Sequence, residues 1–333
     1  MKPSLYFGGK YPKSAMRHRN TNKQTLKDLA ATLGYPISKD PILADIFLSL
    51  DYNDENEEVL KTRRMANRLN VLFRNEPRCV LPAGYSSAAL DLNNIIITFG
   101  KAHKDSFSEV WPQFWDETLI TEDTFPRNNT CAVMVNANKL NLAKGELYTL
   151  RRSSIANIRN LDIFGDEWNS SITNRLKVAL IEIRKNPVRN LFAFSFHSRH
   201  WFTRRSSIMA PDDKGKVLRR YKVSLVIENE ITYLSEKIFD ALASGCIPVY
   251  VGPEISEYGI PNSLVFQAKP NLRSIENQIK VAIDSDYSTF RRELAEWLNS
   301  SEVKGRHQGE NVMKRALEKC VEEFEKVANS SRK

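Results

Sequence analysis

Residues 221–253 read YKVSLVIENEITYLSEKIFDALASGCIPVYVGP, and this pattern admits few arrangements of elements. The apolar run 223–227 ends on Glu228 and Asn229. A short polar loop leads to Ser235, Glu236 and Lys237, at the head of a segment with helical apolar spacing. That segment stops at Gly245, and a second apolar run closes on Gly252 and Pro253. Strand, loop, helix and strand in this order build a parallel sheet, and such sheets carry their ligands at the carboxyl ends of the strands. The polar side chains Glu228, Asn229, Tyr233, Ser235, Glu236 and Lys237 gather at that edge. Lys237 begins the helix, where unpaired N–H groups and the positive end of the helix dipole already favour an anion. A full lysine charge there suits a diphosphate. Glu236 can accept hydrogen bonds from vicinal hydroxyls such as those of a ribose, and Ser235 can cap the helix. Taken alone, the same three residues also fit an ordinary serine cap with a solvated Glu and Lys.

The rest of the chain repeats the alternation. Strand-like runs cover 4–8, 44–50, 69–73 and 94–99, and a helical pattern over 21–33 stops at Gly34. A polar, Pro-containing break falls at 124–129. A second series then begins: strand 131–135, helix 146–158, strand 161–164, helix 172–183, a strand over 191–196, the 221–253 unit, a strand at 264–266, and helices over 272–284 and 287–298. The expectation is an α/β chain of two βα domains, 1–127 and 128–333, with a ligand cleft between them. Residues 311–328 form an amphipathic helix whose stripe is Met313, Leu317, Cys320, Val321 and Phe324. That stripe either packs onto the protein or lies on a membrane surface.

Composition removes several function classes. No apolar run approaches the roughly 20 residues that span a bilayer. The start, MKPSLYFGGKYP, lacks the apolar core of a secretion signal, so a cytoplasmic protein is expected and the acceptor-type Asn128, Asn169, Asn299 and Asn329 read as chance matches. Four widely spaced cysteines show no ligand spacing and suit a reducing compartment. The net charge of +9 favours anionic partners without choosing among nucleotides, nucleic acid and membrane. There is no Walker A motif and no GxGxxG. Residues 84–88, GYSSA, lack the second glycine of a nucleophile elbow. Asp284-Ser285-Asp286 reads as an exposed helix end rather than a metal motif. His197 and His200 have no third ligand, so no metal site is expected.

Three segments carry a family resemblance. YKVSLVIEN, YLSEK and IFDALASGCIPVYVGP resemble the signature of the α-1,3/4-fucosyltransferases, glycosyltransferase family 10. Residues 145–168, GELYTLRRSSIANIRNLDIFGDEW, resemble the stretch in which an Arg begins a helix leading into a strand. Arg151 is the better match to the diphosphate-binding Arg, and Arg152 is second. VLFRNEP at 71–77 resembles the strand whose terminal Glu is the family's base, and Glu76 is the match.

The resemblance implies a GT-B architecture, two Rossmann-like domains facing across a cleft. The first would hold a glycan acceptor and the second GDP-fucose. Transfer would invert the anomeric carbon in one displacement. Glu76 would take the proton of the acceptor hydroxyl, and Arg151 and Lys237 would stabilise the departing diphosphate. Asn229, Tyr233 and Glu236 would bind the nucleotide and its sugars, with Glu228 and Ser235 as further candidates. No cofactor is required, although Mg2+ or Mn2+ could stimulate. Partners would be the nucleotide sugar and a glycan, not nucleic acid, with peripheral membrane contact through the terminal helix as an option. The role implied is surface polysaccharide or O-antigen synthesis by a soluble bacterial-type member. The chain departs from the family in its 230–232 loop, which is shorter, lacks a Gly and carries Glu230. That loop borders the donor sugar, so another nucleotide sugar remains the alternative. A basic nucleic-acid-binding or scaffold protein is the remote one.

Overall fold

The computed structural model describes residues 2–8, 22–52, 56–74, 76–98, 127–202 and 214–330. The expected end positions 21 and 99, and residues 124–126 of the break, lie outside them. The chain divides into two compact units, Met1–Pro112 with Gly305–Lys333, and Gln113–Lys304.

The first unit is built on a parallel sheet, β1 (Leu5–Gly8), β2 (Ile46–Leu50), β3 (Leu69–Arg74) and β4 (Ile95–Thr98), in the order β1-β2-β3-β4. Its register pairs Leu5 with Ile46, Ile46 with Leu69, and Val71 with Ile95. β2, β3 and β4 are buried along their length, as parallel strands covered on both faces must be. Helices α1 (Asn22–Thr32), α2 (Glu57–Met65) and α3 (Ser87–Leu92) provide the crossovers. Arg63 of α2, fully buried, donates to Asn70 Oδ1 at 2.8 Å and to the carbonyls of Pro41, Ala44 and Leu69 at 2.7–2.8 Å. Those bonds satisfy backbone acceptors that would otherwise be unpaired inside the unit.

The second unit holds five parallel strands: β5 (Asn128–Val135), β6 (Leu161–Phe164), β7 (Tyr221–Ile227), β8 (Ile247–Val251) and β9 (Phe266–Gln267), ordered β6-β5-β7-β8-β9. β7 lies in the middle of the sheet and is buried at every residue. Around it run α4 (Tyr148–Asn157), α5 (Ile172–Lys185), α6 (Pro187–His197), α7 (Lys214–Leu218), α8 (Lys237–Ala243), α9 (Leu272–Asp284) and α10 (Tyr287–Asn299). α11 (Ser301–His307) and α12 (Gly309–Ser330) complete the chain.

Two expectations change. The strand foreseen over 191–196 is helix α6. Phe192, Phe194 and Phe196 imitate a strand's two-residue period, but Pro187 sets the φ of a first helical turn and the backbone continues helically to His197. The terminal segment 305–333 groups with the first unit rather than the second, and α12 packs on α1. The apolar stripe of α12 is largely covered, since Met313, Leu317 and Cys320 are fully buried, Val321 is buried and Phe324 is half-buried. Of the two expected roles for this stripe, the structure shows packing onto the protein. Among the described residues no helix is long and apolar enough to cross a bilayer.

Candidate active site

The centre of the site is Glu228, the first residue past β7. Its backbone N–H donates to the Val251 carbonyl at 2.9 Å, so it still belongs to the ladder with β8. Its side chain has no exposure at all. The carboxylate accepts from the Ser235 N–H at 2.9 Å, the Ser235 hydroxyl at 2.5 Å and the Tyr250 hydroxyl at 3.2 Å. Burial, with Glu228 beside it, pushes the Tyr250 phenol well above its ordinary range, so Tyr250 stays a donor. Gly252 is required here: a Cβ would stand 2.3 Å from the Tyr250 hydroxyl and 2.8 Å from Glu228 Cγ. Glu228 is therefore an internal anchor, and the loop 229–235 is fastened to it.

Lys237 is placed through that anchor. Its Nζ donates to Ser235 Oγ at 2.9 Å, and lies 3.8 Å from both Glu228 Oε2 and Glu236 Oε1. The ammonium remains partly exposed at the start of α8. Ser235 thus spends its hydroxyl on Glu228 and Lys237, and only a 3.4 Å approach to the Lys237 N–H is left of the expected cap. Burial pushes the Glu236 carboxyl up, but Lys237, Lys214 and Arg151 outweigh it and hold it down at about 2. Glu236 is an anion, its side chain 42% exposed, ready to accept hydrogen bonds. Lys214 of α7 ion-pairs with Asp240 of α8. Burial alone would lower this lysine, yet Asp240 and Glu236 keep it above its ordinary value. Lys214 opens the basic run 214–222, KGKVLRRYK.

Arg151 comes to the same edge from α4. Its Nε and Nη2 donate to the Ile227 carbonyl at 3.0 and 2.5 Å, Nη2 also reaches Asn229 Oδ1 at 2.9 Å, and the guanidinium lies 4.6 Å from the Tyr148 ring centroid. A charge-assisted contact to the last carbonyl of β7 locks α4 against that strand. Leu147 N donates to the Asn229 carbonyl at 3.0 Å, and Glu146 and Glu230 form an antiparallel bridge. Tyr233, nearly buried, closes the loop through its N–H on the Glu230 carbonyl at 3.2 Å.

Arg151, Asn229, Tyr233, Ser235, Glu236 and Lys237 thus lie on one loop and its two flanks. Arg152 has another task. It donates to the carbonyls of Lys139 at 2.7 Å, Arg199 at 3.2 Å and His197, and stacks on Trp201. Burial pushes its guanidinium down to about 10. Sequence reasoning passed over Glu146, whose carboxylate accepts from Thr149 N at 2.9 Å and lies 2.7 Å from His197 Nδ1. The Glu146-x-x-Thr149 spacing at a helix start was its only local signal.

In the first unit, Glu76 follows closely on the carboxyl end of β3. The Tyr85 hydroxyl donates to its backbone carbonyl at 3.1 Å, and the buried Arg74 guanidinium lies 3.9 Å from the Tyr85 ring centroid. Neither Arg74 nor Tyr85 stood out in the sequence. Asp286 caps α10 by accepting from Ser288 N at 2.9 Å and from the hydroxyls of Ser288 and Thr289 at 2.7 Å. The Asp-x-Asp string thus joins the end of α9, at Asp284 as expected, to the cap of α10 at Asp286. Among the described residues no group of three or more His, Cys, Asp and Glu could hold a metal ion.

Two parallel βα sheets, one of them with a cationic cluster at a strand's carboxyl edge, define the GT-B fold of the nucleotide-sugar glycosyltransferases. Within that fold the chain resembles an α1,3-fucosyltransferase, with a TM-score of 0.54 and 13% identity over 96% of this chain and 90% of that one. It is similar too to Anabaena HepE in complex with UDP and glucose, at a TM-score of 0.56 and 10% identity over 95% and 99%. In sequence, 66 residues are 41% identical to a putative fucosyltransferase-like protein of Arabidopsis thaliana, covering 19% of this chain and 13% of that relative. The chain therefore spans a small part of that relative's length. No family model matches.

Proposed function

We propose that the protein is an inverting glycosyltransferase that moves fucose from GDP-fucose to a hydroxyl of a glycan. The observation that carries this reading is the convergence of Arg151 and Lys237 on the carboxyl edge of β7, with the anionic Glu236 beside them. Two cations and a helix start suit a diphosphate, and a partly exposed carboxylate suits a ribose diol. Asn229 and Tyr233 line the loop that would border the donor sugar.

In this reading the acceptor oxygen attacks the anomeric carbon as the bond to the diphosphate breaks, and the configuration inverts. The Glu76 carboxylate takes the hydroxyl proton. The charge left on the diphosphate falls to Arg151 and Lys237, so chemistry does not depend on a metal ion. The α1,3-fucosyltransferase of similar fold has a structure with GDP, at a TM-score of 0.52 and 13% identity over 96% of this chain and 90% of that one. That supports GDP as the nucleotide. A second reading keeps the fold and mechanism with a UDP-linked sugar. It is favoured by the likeness to HepE with UDP and glucose, and by the short loop whose Glu230 pairs with Glu146.

A thermal-shift series with GDP, UDP, CDP and dTDP and their sugars separates these readings. Stabilisation by GDP and GDP-fucose supports the first, and stabilisation by UDP supports the second. If no nucleotide shifts the melting temperature, the enzyme reading fails.

A further inference from the structure

Helix α6 is apolar around most of its circumference, yet none of its residues is fully buried. A helix of that kind belongs in a core or against an apolar medium. Its inward side, Ala193 and Phe194, packs with Val178, Ala179 and Ile183 of α5 over Leu140, Leu142 and Trp201. Its outward side carries Val188, Phe192 and Phe196, four residues apart and 87%, 71% and 62% exposed, with Leu191 beside them. Phe192 and Phe196 touch each other, with ring centroids 5.2 Å apart. On α5, Ile172, Leu176 and Leu180 recur at the same spacing and are also exposed. Monomeric proteins rarely leave a contiguous apolar face of this kind uncovered.

The exposed charges of the hairpin are basic. α5 ends in Arg184 and Lys185, a single residue separates it from α6, and Arg189 sits in the first turn of α6. All three are exposed, as is Lys177. The acidic residue of the hairpin, Glu182, is paired with Lys185 at 2.6 Å. Phenylalanine and leucine on a helix flank with a rim of Lys and Arg are the pattern of helices that lie in the headgroup region of a bilayer. The acyl boundary takes the aromatic ridge and anionic headgroups take the cations. A ridge of this shape needs no matching groove, which a protein partner would have to supply.

We propose that the α5–α6 hairpin is a membrane-docking surface for bilayers with anionic headgroups. α6 lies along the interface, with Val188, Leu191, Phe192 and Phe196 inserted. Docking takes place here and not through α12, whose stripe is internal. The surface is tied to the candidate site: the end of α6 supplies His197 to Glu146, which pairs with the donor loop at Glu230.

The test is sedimentation of the full chain with phosphatidylcholine vesicles, with and without phosphatidylglycerol, at low and high salt. The wild type should pellet with phosphatidylglycerol vesicles, less so at high salt, and stay in solution with phosphatidylcholine alone. Phe192→Ser with Phe196→Ser should lower partitioning at least about tenfold. Arg184→Glu, Lys185→Glu and Arg189→Glu together should abolish the salt-dependent part. Both variants should keep the wild-type circular dichroism. Because the charge variant leaves the apolar ridge intact, it remains informative if the first does not fold. The proposal is overturned if the wild type ignores anionic vesicles, or if both variants pellet like the wild type. It is equally overturned if the wild type is a dimer that the serine variant splits, since a second copy would then cover the face. The readout needs no donor or acceptor, so it stands apart from the proposed activity.

Discussion

Removing the hydroxyl of Ser235 separates an anchored site from a merely crowded one. In Ser235→Ala the buried Glu228 carboxylate keeps the Ser235 N–H and the Tyr250 hydroxyl but loses its 2.5 Å donor. A hydrogen bond to a charged group contributes about 1.5–3 kcal/mol, and Glu228 has no exposure through which water could replace it. The loss should therefore be about 2 kcal/mol, or about 30-fold in the unfolding equilibrium. The same change frees Lys237 Nζ from its 2.9 Å tether. Diphosphate binding should weaken by about tenfold, the equivalent of about 1.4 kcal/mol. Urea unfolding followed by tryptophan fluorescence measures the first effect and calorimetric titration with GDP the second. Ser235→Thr keeps the hydroxyl and should restore both. A stability loss under about 0.5 kcal/mol, or a threonine variant no better than alanine, would refute the anchoring argument.

Further outcomes follow from the same geometry. Arg151→Lys should weaken diphosphate binding and also cost stability, because one ammonium cannot make the paired contact to the Ile227 carbonyl; a melting temperature equal to that of the wild type would refute the second half. Glu76→Ala should keep nucleotide affinity while transfer falls by about 10²–10⁴-fold, measured by nucleotide titration beside a turnover assay; near-full transfer would remove Glu76 as the base. Glu236 is held at about 2, below its ordinary 4.5, so its contribution to stability is complete above 4.5 and disappears as the pH falls through about 2. Glu236→Gln should thus be less stable than the wild type at neutral pH, and the gap should close between pH 4.5 and 2 in melting-temperature measurements; a gap independent of pH would contradict the charge argument.

Much of this protein is written locally in its residues. Among the described residues apolar periodicity located each strand, although β5 begins three residues before its expected start and β9 is displaced toward 266–267, and helices α9 and α10 begin at the expected residues. Within 221–253 the ligand edge could be read because strand end, loop and helix start lie within a few residues of one another. The alternation of Phe192, Phe194 and Phe196 misled because two-residue and helical spacing coincide over so short a run. What separates them is Pro187 at the first helical turn, together with the covering of one side of α6 by α5 and Trp201.

The sequence alone determined the kind of sheet, the strand–loop–helix–strand order within 221–253 and the chemical types at the carboxyl edge of β7. Those features depend on neighbours a few positions apart. The tertiary structure decided which of two adjacent arginines reaches the carboxyl edge of β7. Arg151 meets the Ile227 carbonyl 76 positions away, whereas Arg152, one helical step round, points at Lys139 and Trp201. It also decided that the Glu228 carboxylate is buried and bonded within the chain, because the packing of β7 against β8 brings Tyr250 and Gly252 around it. And it decided that the stripe of α12 is core while that of α6 is surface. Amphipathicity tells which side of a helix seeks apolar company, and only the folded chain tells what is left to provide it.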